Sequence, residues 1–574
     1  MYILGINAYH GDSAAALVKD GVLIAAVEEE RFNRVKHWAG FPAEAIRYCL
    51  AHAGITAADL NHVAVSFNPS ANLGKKILFT LNNTPSFKSI LDRLNRQSKG
   101  LGLRENLAKA LGCTMTELRA EIHNVEHHAS HVGTAFLVSP YERSAILSID
   151  GMGDFVSLLT ASGDGREIKP FDRVFYPHSL GFLYNAITLY LGFPAYGDEY
   201  KVMGLAPYGE PEFLDLFRKM VRPKGDTFEL NLDYFTHPSK GISMSWENGS
   251  PTVDPFYSDK LTKELGPARD PKEPVTQRHQ NIAISLQRVT EEIIFHVLNR
   301  LHKRCPVDNV CIGGGVAMNS VANGKLTLNT RFKNAYIPVG AADNGTSFGA
   351  AFHVWNVVLE QPRKFVLEHG YWGPSFGDAE IAAMLRRRGA SFEELSDDAL
   401  LERAVDLICD GKVLGWFQGR MEFGARALGN RSLLADPRRA DMKDIINLRI
   451  KFREKFRPFA PSILEERVGD FFELSEPSPF MEKVFQIRPE KRALIPAVTH
   501  VDGSGRLQSV KRSANELYWR LIKRFEERTG VPILLNTSLN ENEPIVHTPE
   551  QALNCFLRTK MDNIALRHCL VRRP

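Results

Sequence analysis

Apolar positions along this chain fall into short runs separated by polar, glycine-bearing turns, and the first run sets the pattern. Residues 2–6, a turn at His10-Gly-Asp12, residues 14–18, a turn at Lys19-Asp-Gly21 and residues 22–26 predict three strands of a meander. The design returns about 144 residues later, as a strand over 146–149, a turn over 150–154 and a strand over 156–160. Two such units predict a duplicated α/β core of the actin-like class, with the polar turns facing each other across a nucleotide cleft. Residues 309–312 predict a buried strand, Gly313-Gly-Gly315 a tight turn and 316–319 the start of a helix. That strand–turn–helix order suits a phosphate or adenine cradle. Residues 336–339 predict a further strand ending in the acidic turn Gly340-Ala-Ala-Asp343-Asn-Gly345. Proline and glycine punctuate 361–377 as a linker, and 531–536 predict another buried strand.

Length changes this picture first. At 574 residues the chain exceeds one ordinary core, so two large domains are expected, over 1–360 and 366–574. With 71 basic and 67 acidic residues the charge is nearly balanced, which gives no reason to expect nucleic acid. No run approaches about 18 apolar residues, so no membrane span is predicted. The first sixteen residues read as a strand, not as a targeting segment. Seven scattered cysteines without a C-x-x-C pair read as reduced thiols, and a cytoplasmic location is expected.

The chemistry concentrates at two places. His127-His128-Ala-Ser-His131 puts His127 and His131 one helical turn apart, able to share a metal ion that Asp150 closes from a following strand. Chance alone supplies roughly 0.6 such pairs in a chain with this histidine content, so the context carries the argument. His128 points off that face, and His123 belongs to a strand over 121–125, outside the set. Further on, Arg420, Arg426, Arg431, Arg438, Arg439, Arg449, Lys451, Arg453, Lys455 and Arg457 crowd residues 411–460 among glycines and phenylalanines. Turns and rings that fix planar guanidinium forks suit a small multivalent anion better than a long polymer.

Eight motifs in order resemble the O-carbamoyltransferase family, which includes enzymes of nodulation factors and aminoglycosides. They are His10-Gly-Asp-Ser-Ala-Ala-Ala, His127-x-x-x-His131, Asp150-Gly, the run from Gly197-Asp-Glu-Tyr-Lys201 to Gly209, Gly313-Gly-Gly315, Asp343-Asn-Gly, Phe423-Gly-Ala-Arg-Ala-Leu-Gly-Asn-Arg431 and Asn536-Thr-Ser538. The resemblance implies an N-terminal domain similar to the tRNA threonylcarbamoyl-transferase fold and a C-terminal domain similar to the YrdC fold. It implies that carbamoyl phosphate and ATP, with Mg²⁺, give carbamoyl-adenylate in the second domain, and that the first passes the carbamoyl group to an alcohol. Carbamate is short-lived in water, which calls for a shielded pocket.

By the same resemblance His127, His131, Asp150 and Asp343 hold a divalent transition metal, Fe(II) by the softness of the set. The ion would grip the adenylate phosphate and polarise the carbamoyl carbonyl. Arg426, Lys451, Arg457, Arg506 and Ser538, with Asn536 and Asn540, are implied contacts of carbamoyl phosphate and ATP. Gly151, Lys201, Gly313, Gly314, Gly315 and Asn319 are assigned to nucleotide in the first domain. His10 and Asp12 are alternative bases for the acceptor hydroxyl. Residues 223–274 are the candidate acceptor-facing insertion, and a homodimer is the default assembly. Two other readings stand beside this one. A fused threonylcarbamoyl tRNA-modifying enzyme would bind tRNA, and a non-catalytic ATP-binding actin-like protein would leave the metal quartet and the basic half unexplained.

Overall fold

Strands β1 (Tyr2–Asn7), β2 (Ala14–Lys19) and β3 (Val22–Glu28) form the expected meander in the computed structural model, which describes residues 1–83, 102–245 and 251–573. β4 (His62–Val65) and β5 (Glu121–Asn124) add in parallel on the other side of β1, giving the order β3-β2-β1-β4-β5. The second sheet repeats this plan. β6 (Arg143–Gly153), β7 (Val156–Asp164) and β8 (Glu167–Phe175) are its meander. Two ribbons follow, β9 (Val221–Lys224) with β10 (Thr227–Leu230) and β11 (Met244–Ser245) with β12 (Thr252–Val253). β13 (Asn309–Gly313) and β14 (Asn334–Tyr336) then add in parallel beside β6. Read from the meander outward the order is β8-β7-β6-β13-β14, the same sequence of antiparallel and parallel joints. That identity of topology is the duplicated actin-like core. It lies within a compact unit, Met1–Leu367.

The inner strands are apolar along their whole length because helices cover their faces. In β1 every residue after Tyr2 is buried. Helix Thr346–His353 packs against β1 and against helix His127–Val132, and the glycines make this closeness possible. A Cβ on Gly349 would overlap the Ser130 carbonyl, and one on Gly133 the Gly349 carbonyl. Backbones that touch in this way bring the start of helix Thr346–His353, next to Asp343, against His131.

Three local expectations are corrected. Asp150 lies in β6 itself, where the register with β7 breaks between Ile149 and Gly153, and the reversal falls at Asp154 and Phe155, both at positive φ. A bulge of this kind re-aims side chains. The strand expected over 336–339 ends at Tyr336, since Pro338 has no N–H for the ladder. The helix expected from 316 is a single tight turn, Gly315–Met318, followed by a short helix, Ser320–Gly324. Of the expected insertion, residues 246–250 lie outside the described residues.

A second compact unit, Glu368–Pro574, is built on one mixed sheet. Its strands are β15 (Phe392–Glu394), β16 (Leu414–Phe417), β17 (Arg431–Ala435), β18 (Ala460–Leu464), β19 (Lys483–Gln486), β20 (Ser504–Val510), β21 (Ile533–Ser538), β22 (Asn563–Leu566) and β23 (Cys569–Arg572). Their order is β15-β23-β22-β16-β17-β21-β18-β20-β19. Trp416, Leu434, Ile463, Leu535 and Ile564 are fully buried in its core. Among the described residues no helix is long and apolar enough to cross a membrane, and all seven cysteines are free.

Candidate metal centre and anion site

His127 opens a helix whose start is held by two carboxylates. Glu126 accepts the Ala129 N–H at 2.8 Å, and Asp154 accepts the His127 N–H at 2.9 Å. Acidic groups at a helix start are favoured by the amide dipoles. One turn separates the two imidazoles, and their Nε2 atoms are 3.0 Å apart. Asp150 Oδ2 lies 3.2 Å from His127 Nε2 and 3.8 Å from His131 Nε2. Asp343 Oδ1 lies 3.6 and 3.3 Å from the same two atoms. Spacings of this size are those of N and O ligands that share one ion at about 2.1 Å.

The residues fit a metal on a second count. Asp343 Oδ1 is buried without a hydrogen-bond partner, although it faces both rings. Burial disfavours charge on His127, but Asp150 and Asp343 outweigh it and push the imidazole up to about 10. Burial would likewise raise Asp150, and the two imidazoles hold it well below the usual carboxylate range. A field that retains a proton on a buried imidazole also favours a divalent cation between the rings. His128, by contrast, is pushed down to about 3 by burial and by its two histidine neighbours. Its ring bonds the Ser148 hydroxyl at 2.7 Å and the Val156 carbonyl at 2.9 Å, so it is a structural residue.

The glycine turn serves this centre directly. Gly315 N–H donates to Asp150 Oδ1 at 2.8 Å, fixing the carboxylate so that Oδ2 faces the histidines. Gly314 sits at φ +100°, and a Cβ there would overlap the Ile149 carbonyl. Gly313 backs onto the His131 carbonyl, and Gly151 lies where Gly181 crosses closely. Of the residues assigned to nucleotide, these four lie about the backbone of Ile149, Asp150 and His131. The other two do not join them. Asn319 caps helix Ser320–Gly324 and exchanges both amide bonds with Gln287, while Lys201 is paired with Asp198 at 3.0 Å.

His10 and Asp12 occupy different environments. His10 Nδ1 is 3.1 Å from Asp343 Oδ2, and its ring lies 5.6 Å from that of His127. Asp12 Oδ1 instead lies 2.7 Å from His37 Nδ1. Burial opposes a charge on His37, but Asp12 overrides it and the imidazole is pushed up to about 9. Asp12 is thus the counter-ion of an imidazolium. Tyr196 packs against Gly11 and the His37 ring, with its phenol held protonated by burial and by the surrounding carboxylates.

In the second unit a different set converges. Arg506, on β20, is held well below its ordinary proton affinity by burial and by the charges of Arg426, Arg453 and Arg457, and its Nε has no hydrogen-bond partner. Like charges gathered in this way favour an anion. Arg453 is fixed by Asn447 at 3.1 Å and by the Phe459 ring, 4.5 Å from the guanidinium carbon. Arg457 reaches Glu454 at 3.4 Å.

Residues 2–352 match the family described as "Carbamoyltransferase N-terminus", and residues 405–573 match "Carbamoyltransferase C-terminus". The chain belongs to the carbamoyltransferase family. It is 41% identical over 609 residues to "Uncharacterized protein sll1178" of Synechocystis, covering 100% of this chain and 97% of that one. It is also 41% identical over 576 residues to "Nodulation protein NolNO" of Sinorhizobium fredii, covering 99% of this chain and 80% of the relative. Among solved structures, HypF of T. kodakarensis matches at TM-score 0.33 and 15% identity, over 62% of this chain and 48% of that one.

In this carbamoyltransferase three residues of the expected anion set, Lys451, Ser538 and Asn540, are brought together and bond one another. Lys451 is buried, and its ammonium meets Ser538 O at 2.6 Å, Asn540 O at 2.8 Å and Asn540 Oδ1 at 2.6 Å. Ser538 Oγ donates to Asn540 Oδ1 at 2.7 Å, closing the same knot. Asn536 lies in the sheet interior, where Nδ2 faces Ala427 O, Ser462 Oγ and Gln508 Oε1. Arg431 is likewise buried, donating to Gln418 O, Asn430 O and Pro374 O over the Phe417 ring. Arg453 belongs with the converging forks although the expected set omits it. His37 and Tyr196 were not expected either. His37 lies outside the family motifs, and Tyr196 is recognisable only as the residue before Gly197.

Proposed function

We propose that this carbamoyltransferase is ATP-dependent and O-specific, with the two half-reactions divided between its units. In the second unit, read as YrdC-like, water attacks carbamoyl phosphate and its carbamoyl–phosphate link breaks, giving carbamate and phosphate. A carbamate oxygen then attacks the α-phosphorus of Mg²⁺-bound ATP, and pyrophosphate leaves. Arg426, Arg453, Arg457 and Arg506 would neutralise and orient the phosphates through paired N–H donors. Lys451, Ser538, Asn540 and Asn536 would hold the walls of that pocket.

In the first unit the carbamoyl carbon is attacked by the oxygen of an acceptor alcohol, and the bond to the adenylate oxygen breaks to release AMP. Donation from His10 Nδ1–H to Asp343 leaves Nε2 free to take the hydroxyl proton. His127, His131, Asp150 and Asp343 would hold a borderline divalent ion such as Fe(II), which supplies Lewis-acid charge beside the leaving phosphate. The acceptor class we infer is a small molecule: a natural product, toxin, antibiotic or oligosaccharide.

The observation that carries this reading is the pairing of unlike sites in one chain, an acidic histidine cage in the first unit and an arginine cluster in the second. Candidate alcohols incubated with enzyme, carbamoyl phosphate and ATP should gain about 43 Da by mass spectrometry. A gain that does not require ATP would overturn the adenylate step.

A further inference from the structure

A second group of metal-ligating side chains lies in the first sheet, apart from the centre just described. His62 is the first residue of β4, and Glu121 is its register partner on β5. His123 follows two residues later, so the pleat returns it to the face of Glu121. Three atoms converge there. His62 Nδ1 is 3.0 Å from His123 Nε2 and 3.6 Å from Glu121 Oε2, and His123 Nε2 is 3.8 Å from that oxygen. A point equidistant from all three lies about 2.0 Å from each, within the range of zinc bonds to imidazole and carboxylate. Both imidazoles are mostly buried, whereas the Glu121 side chain is 68% exposed, which leaves an entry path and room for water ligands.

We propose that His62, Glu121 and His123 form a second divalent-metal site of the zinc class, sharing no ligand with the His127/His131/Asp150/Asp343 centre. Two imidazoles and one carboxylate suit a borderline ion and are a poor set for Ca²⁺ or Mg²⁺. The site would be structural. β5 is the edge strand of its sheet, and the chain passes from it through Val125 and Glu126 into the helix of His127. An ion bonded to both β4 and β5 would pin the strand that delivers that helix.

Isothermal titration of the chelator-stripped full chain with Zn²⁺ tests this. Wild type should bind two ions, and His62→Asn and His123→Asn should each bind one. Asp343→Ala should lose the other event and keep this one. Glu121→Gln, a surface change that spares folding, should keep both events but weaken one at least tenfold. Zn²⁺ should also raise the melting temperature of Asp343→Ala and lose that effect when His123→Asn is added. If Asp343→Ala binds no Zn²⁺, or if Glu121→Gln and both histidine variants titrate like wild type, the contact is a plain imidazole hydrogen bond and the proposal fails.

Discussion

Asp12 and His10 are two residues apart, yet one neutralises His37 and the other touches a carboxylate of the metal cage. His37 is pushed up to about 9, above its ordinary 6.5, so its pairing stabilises the fold fully below about pH 6.5. That contribution fades as pH rises through about 9. Asp12→Asn should lower the His37 titration seen by imidazole NMR and remove this part of the alkaline loss of stability, and an unchanged titration would refute the pairing. His10→Ala should cut carbamoyl transfer by roughly 10²–10⁴-fold, the usual worth of a positioned base, while leaving adenylate formation intact. At this scale the sequence was readable where side chains that converge lie at helical spacing, as for His127 and His131, and at Asp150 and Asp343 through the family motifs. It was unreadable where a residue's partners are remote in the chain. Lys451 has the right charge for phosphate, but its oxygens come from residues 538 and 540, and no local pattern announces that.

Elements act here by holding carboxylates at fixed angles. Gly314 at φ +100° lets β13 turn beneath β6, and Gly315 N–H then grips Asp150. Gly314→Ala should therefore cost stability by about 1–3 kcal/mol through backbone strain and lower transfer more than adenylate formation. Urea unfolding alongside the two half-reaction assays would check this, and an undiminished transfer rate would contradict it. Lys451→Met should cost about 3 kcal/mol in the stability of the second unit, since it leaves buried oxygens without their cation. A stable variant with lost phosphate affinity would instead make Lys451 a direct ligand. The meanders were legible because alternating apolar runs and glycine turns are local signals. The bulge that places Asp150 within β6, and the early end of β14, depend on cross-strand register and on one proline, which local pattern underdetermines.

On the scale of the whole molecule, the duplicated sheets and the mixed nine-stranded sheet are separate compact units, and each carries its own kind of charge. The cage of the first unit concentrates carboxylates around two imidazoles, and the second brings four arginines together. The duplication was legible at this scale because the two polar turns repeat. The separation of Arg453 from the ion-paired surface cations was not, since Arg438 with Asp436 and Arg439 with Asp441 look alike in sequence. The division of labour is tested most directly by carbamoyl-phosphate-dependent exchange of labelled pyrophosphate into ATP, which needs no acceptor. The exchange should persist in Asp343→Ala and vanish in Arg457→Ala. Equal loss in both variants, or exchange retained in Arg457→Ala, would contradict two half-reactions housed in two units.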